Sequence, residues 1–173
     1  MPAVFTRPAA DEFAPFYAGY VAKVPEGALP ELLDRQIDDI EATLRPLPPH
    51  LGTFAYAPGK WTINEVIGHL ADGERVFGYR MLTFARHDAT PLPAFDDNAW
   101  TPAGQFNDRA LTNLLDELIA ARRATIAMVN GLPADAPTRR GTASGREISV
   151  RALGFIMYGH VAHHLEIMKA RYL

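Results

Sequence analysis

An all-α fold, a four-helix bundle with long connections, follows from three observations on this sequence. Apolar residues recur every three to four positions through four separate stretches, the spacing that gathers them on one face of a helix. Capping residues, glycine or proline mark the limits of each stretch. Two of the connections are long, which suits helices packed side by side better than a sheet-based enzyme.

Residues 1 to 28 form an arm in which Pro2, Pro8, Pro15 and Pro25 interrupt scattered aromatics (Phe5, Phe13, Phe16, Tyr17, Tyr20), so one short helical turn is expected, packed on a domain of residues 29–173. Pro30 suits the first turn of a helix whose seam runs Leu33, Ile37, Ile40, Leu44 and Leu47, and Pro46, Pro48 and Pro49 end it. Thr62-Ile-Asn-Glu65 is a capping box, in which hydroxyl and carboxylate each satisfy an orphan amide. The second helix starts there. Its stripe is Ile63, Ile67, Leu70, Phe77, Met81 and Phe84, and it runs to about His87.

The connection from Pro91 to Trp100 is too long for a tight turn, and long connections in compact domains often carry function. A third helix is expected after Asn107-Asp108 as N-cap, with Leu111, Leu114, Leu115, Leu118, Ile119, Ile126 and Val129 inward and Asn130-Gly131 as its left-handed end. Ser144-Gly145 lies between strand-compatible residues and predicts a short hairpin. The fourth helix begins near Ser149.

A chain of 173 residues that is 48% hydrophobic has enough apolar material for one domain and is short for two. A net charge of −3 supplies no basic field for a phosphate backbone, so a general nucleic-acid function is excluded and a small-molecule substrate expected. No window approaches the ~18 apolar residues of a membrane span, and no secretory signal opens the chain. A cytoplasmic protein with no membrane partner is expected. The absence of cysteine leaves nitrogen and oxygen as the only metal ligands and gives the protein no thiol of its own.

Chemistry concentrates in the last helix, which holds three of the six histidines as His160-Val-Ala-His163-His164. Its seam reads Leu153, Met157, His160, His164, Ile167, so two histidines stand where the apolar pattern demands Leu or Val. Two imidazoles one turn apart on a buried face need a shared partner, and a metal ion is one. A core histidine bonded to a neighbouring carbonyl is the plainer alternative for either taken singly. His69, at the edge of the second helix's apolar stripe, can look into the bundle and supply a third ligand. His163 points about 60° away from His160 towards the flank, and His50 and His87 fall in or beside connections. Gly68 and Gly159 stand mid-helix directly before His69 and His160, which suggests close backbone approach or space kept near the site. Asp72 could orient a histidine or accept a proton, although it and Glu74 also suit a solvated helix face.

The segment Lys60-Trp61-Thr62-Ile-Asn-Glu-Val-Ile-Gly-His69-Leu-Ala-Asp72, the connection Phe95-Asp-Asp-Asn-Ala-Trp100, the stretch Arg146-Glu-Ile-Ser-Val-Arg-Ala-Leu153 with the closing histidines, and Arg171-Tyr172 resemble the DinB-like (YfiT-type) superfamily. The resemblance covers residues 30 to 172 and leaves the arm unmatched. It implies a four-helix bundle, commonly a homodimer, with one divalent metal (Ni, Zn or Fe) held at one end by histidines that map onto His69, His160 and His164. It further implies an activity in the range of thiol transferases, which attach a low-molecular-weight thiol to an electrophile, and a mycothiol-dependent isomerase. On that basis the first expectation is a metal-dependent transferase in which a thiol cosubstrate meets an electrophile held near Asp97 and Trp100, with Asp72 and Asp97 as candidate catalytic carboxylates. Metal-dependent hydrolysis is the second, and a non-catalytic binding or stress-response module the third.

Overall fold

The computed structural model describes residues 3–173, so Met1 and Pro2 lie outside the described residues. Two 3-10 turns, Ala10–Glu12 and Pro15–Tyr17, lead into helix α1 (Ala18–Ala22). Then follow α2 (Leu29–Leu44), α3 (Ile63–Ala85), the short α4 (Asp97–Ala103), α5 (Leu111–Asn130), strands β1 (Arg140–Ala143) and β2 (Arg146–Ser149), and α6 (Val150–Arg171). The four long helices form the bundle, with α2 and α3 each packed against both α5 and α6, and α1 lies on α6.

Local chemistry sets most boundaries. Thr62 Oγ1 accepts from the Glu65 amide at 3.2 Å and the Glu65 carboxylate accepts from the Thr62 amide at 2.7 Å, the reciprocal cap that starts α3. Ser149 caps α6 by accepting from the Ala152 amide at 3.0 Å. The hairpin forms with Ser144 and Gly145 both at positive φ, 54° and 72°, and Arg140 opposite Ser149.

The left-handed end expected at Asn130-Gly131 does not form, since Gly131 closes α5 at φ −91°, and two boundaries differ from expectation. Helix α5 starts after Ala110, because Asn107 sits in a 3-10 turn and its side-chain oxygen accepts from the Thr62 hydroxyl at 2.7 Å, tying it to the start of α3. The connection after α3 is also more than a crossover. Asp96 caps α4, and Leu92 is fastened to the hairpin through its amide to Thr142 and its carbonyl from the Ser144 amide.

The apolar core has two parts. One gathers Leu29, Leu33, Phe77, Met81, Phe84, Leu153 and Met157 with the hairpin and arm residues Phe5, Val21 and Val24. The other gathers Ile37, Ile40, Ile67, Leu70, Leu114, Leu118, Val161 and Leu165. All four long helices also bury polar side chains, among them Gln36, Glu74, Arg122 and His160. Arg122 is fully buried; it donates to both Glu74 oxygens at 2.8 and 2.9 Å and to Gln36 Oε1 at 2.6 Å. Gln36 in turn donates to the Tyr158 carbonyl of α6 at 3.0 Å. Glu74 therefore does not lie on a solvated face. It stands four residues after Leu70 and three before Phe77, inside the apolar stripe.

The arm is fastened at several points. Arg7 donates to the Val21 and Val24 carbonyls at 2.8 and 2.6 Å, folding the arm back on itself. Arg151 pairs with the buried Glu12, Arg140 with Asp11, and Lys23 with Glu166.

Two outcomes follow. Glu74→Ala leaves the Arg122 charge buried without its partner and is expected to lower unfolding free energy by about 3–5 kcal/mol, read from urea denaturation. The Arg151 guanidinium beside Glu12 holds its carboxyl at about 2 against the usual 4.5. A depressed folded value means the stabilisation is complete above 4.5 and drains away as pH falls towards 2. Stability of Glu12→Gln measured from pH 6 to 2 is expected to fall less steeply than that of the parent.

Candidate metal centre

His69 lies two turns into α3, and His160 and His164 lie one turn apart on α6, with two further turns of α6 beyond them. The cluster thus lies about two turns in from the end of the bundle where the Tyr172 hydroxyl donates to the Trp61 carbonyl at 2.6 Å. One donor nitrogen from each of the three rings lies within 4.8 Å of the others. His69 Nε2 and His160 Nε2 are 2.9 Å apart, and the ring centroids of the trio are separated by 4.8 to 5.1 Å.

Burial keeps all three imidazoles neutral near pH 7. It pushes His164 down to about 3, with repulsion from His69 adding to it, and it holds His160 well below its usual range, reinforced by His164 and His69. Burial also lowers His69, where the Asp97 carboxylate opposes the shift. Neutral imidazoles offer lone pairs without protons to displace. Two nitrogens bound to one ion at about 2.0–2.1 Å stand roughly 2.9–3.4 Å apart for bond angles of 90° to 109°. The His69–His160 separation falls in that window, and three nitrogen donors suit a divalent ion of borderline softness.

The trio faces a cavity of about 360 Å³. Trp61 and Phe77 close two sides, with rings 4.8 Å from His69 and 5.9 Å from His160. Asp97 at the start of α4 and Ser144 at the hairpin tip also border it. The remaining wall is the arm: Phe16, Tyr17 and Tyr20, the last with its ring 5.6 Å from His160 and 5.4 Å from His163.

A model of the DinB superfamily matches residues 32–168. The chain belongs to the DinB superfamily. Its structure is similar to that of YfiT from Bacillus subtilis, described as a probable metal-dependent hydrolase with an unusual four-helix bundle topology, with a TM-score of 0.67 at 18% identity over 86% of this chain and 92% of that one. No curated protein matches the chain. The arm, with Phe16, Tyr17 and Tyr20, lies before the span that the superfamily model matches.

The other residues singled out from the sequence divide between sites. Asp97 and His163 border the histidine cavity, His163 from the flank and partly buried. Asp72 does not. It points towards Arg75 and Glu117 at the rim of an adjacent cavity, where burial raises its carboxyl. Trp100 is 46% exposed and lines that same adjacent cavity, its ring 5.3 Å from Phe95, which borders both. His50 and His87 are exposed.

The glycines before the ligand positions serve close packing. A Cβ on Gly68 would meet the Phe106 ring at 2.4 Å, and one on Gly159 the Tyr20 carbonyl oxygen at 2.0 Å. Room for the His160 ring comes instead from Gly73, where a Cβ would lie 3.1 Å from Cε1. The arm's part in the site was hidden by its prolines, although Phe13, Phe16, Tyr17 and Tyr20 have the i, i+3, i+4, i+7 spacing of a helical face.

Gly159→Ala drives a methyl into the arm backbone. It is expected to destabilise the protein by about 1–3 kcal/mol and to speed tryptic cleavage after Lys23, measured by thermal unfolding and limited proteolysis.

Proposed function

We propose that the protein is a metal-dependent enzyme acting on small molecules, with His69, His160 and His164 holding one divalent ion. The observation that carries this reading is the convergence of three neutral imidazoles, two buried and the third, His164, half-buried, on one wall of an accessible cavity. A divalent ion bound there supplies a Lewis acid that lowers the pKa of a water or thiol and leaves room for exchangeable ligands. Its charge is not neutralised by three histidines, which favours an anionic nucleophile beside them.

The chain's own groups complete the chemistry. The aromatic walls Trp61, Phe77 and Tyr20 exclude water and offer flat apolar faces to an electrophile. Asp97 is the carboxylate on the cavity wall and takes up the proton that the nucleophile loses. A cavity of about 360 Å³ accommodates more than a water molecule, which supports transfer of a low-molecular-weight thiol as the first form of the reaction. Hydrolysis is the second form, favoured by the description of YfiT.

Metal at one hundred times its dissociation constant is expected to stabilise the protein by about 2.7 kcal/mol, and His160→Ala to abolish the effect. The loaded protein is then given a panel of thiols with 1-chloro-2,4-dinitrobenzene, and separately 4-nitrophenyl acetate. Turnover that drops at least about 100-fold on chelation and in His160→Ala supports the enzyme, and its substrate says which form. Turnover indifferent to both changes sinks metal activation. Metal uptake with no reaction in either assay leaves a non-catalytic binding module.

A further inference from the structure

Arg80 of α3 is 3% exposed, yet no carboxylate among the described residues pairs with it. Arg122, the other buried arginine among the described residues, holds Glu74, and the half-buried Arg139 and Arg151 each pair with an acid as well. Arg80 spends one nitrogen, Nη2, on the Pro93 carbonyl at 2.8 Å and Ser144 Oγ at 3.0 Å. The Tyr17 hydroxyl is its other polar neighbour, and Nε and Nη1 make no hydrogen bond to a carbonyl or carboxylate of the described residues. The rings of Phe77 and Phe95 stand 5.9 and 5.8 Å from the guanidinium carbon. They disperse the charge without replacing a counter-ion. A desolvated cation with unused donors is costly unless an anion completes it.

Arg80 lines the cavity of about 340 Å³ that adjoins the histidine site across Phe95. Val76, Tyr79, Leu92, Pro93 and Trp100 give it mainly apolar walls. At the rim Arg75 is shared between Glu117 at 2.7 Å and Asp72 at 3.8 Å, and burial raises the Asp72 carboxyl towards its neutral form. One buried cation at the base of an apolar cavity is the recognition pattern for a molecule with an anionic end and an apolar body. Trp100, 46% exposed, then forms the outer face against that body.

We propose that this second cavity binds a small organic carboxylate, its charged group taken by the unused donors of Arg80 and its apolar body lying between Tyr79 and Trp100. The assignment goes beyond the metal-dependent activity and does not rest on it, since none of the three histidines borders this cavity. Binding is therefore measured by calorimetry on chelator-treated protein, where a carboxylate cannot be held by a metal.

Phenylacetate and its neutral isostere phenylacetamide are the probes. Phenylacetate is expected to bind at least about tenfold more tightly, the preference to vanish in Arg80→Met and survive in part in Arg80→Lys, and Trp100→Ala to weaken both probes. Equal affinity of the two probes for the unmodified protein overturns the proposal, as does a preference that persists in Arg80→Met or absence of binding by either. If Arg80→Met does not fold, the comparison of probes on the unmodified protein and the Trp100→Ala result decide it. Failure here leaves the metal assays untouched, and failure of those leaves this one standing.

Discussion

A fully buried ion pair sets the terms for the rest of this bundle. Arg122 of α5, Glu74 of α3 and Gln36 of α2 form a hydrogen-bonded layer that also reaches backbone carbonyls of α6, so all four long helices meet through polar contacts at one level. Polar groups at such depth tolerate only the register in which each finds its partner. The apolar clusters above and below would permit small slides, because dispersion and burial are nondirectional. Fixing α3 against α6 at this level also fixes His69 against His160, which follows Tyr158 by two residues on α6. The histidine cluster and the ion pair are thus two outputs of one constraint.

The second feature on which the site depends lies outside the superfamily span. The arm crosses α6 where Gly159 lets the Tyr20 backbone approach, and its ion pairs and the Arg7 bonds to its own carbonyls hold it there. Its aromatics turn an open row of histidines into a walled cavity. Walls of this kind lower the local dielectric and so strengthen any charge interaction at the histidines, while their flat faces limit the shapes that enter. The hairpin tip and α4 close the remaining sides, and the hairpin is tied to the connection before α4 by backbone bonds through Leu92 and by Arg80.

Much of the fold is legible in the sequence because helix signals are local. The Thr62–Glu65 box, Ser149, Pro30 and the Ser144-Gly145 turn act within a few residues, and each sets its boundary where the pattern places it. Asn107 misleads for the opposite reason: its side chain is claimed by Thr62, 45 positions away in sequence. Glu74 misleads because a carboxylate in an apolar stripe has no local sign of its partner, and Arg122 lies 48 positions on. The candidate ligands were legible because two of them interrupt a seam on a single helix, where four-residue spacing fixes their common face.

By itself, then, the sequence determined the four helices, their buried faces, the hairpin and the three histidines, all of which follow from short-range periodicity and capping. Only the tertiary structure decided that Trp100 and Asp72 belong to the adjacent cavity, and that the arm walls the site. These are consequences of which helix turns stand level with one another. That is set by pairings such as Arg122 with Glu74, whose partners are far apart in the chain and whose attraction leaves no mark on the local pattern of either.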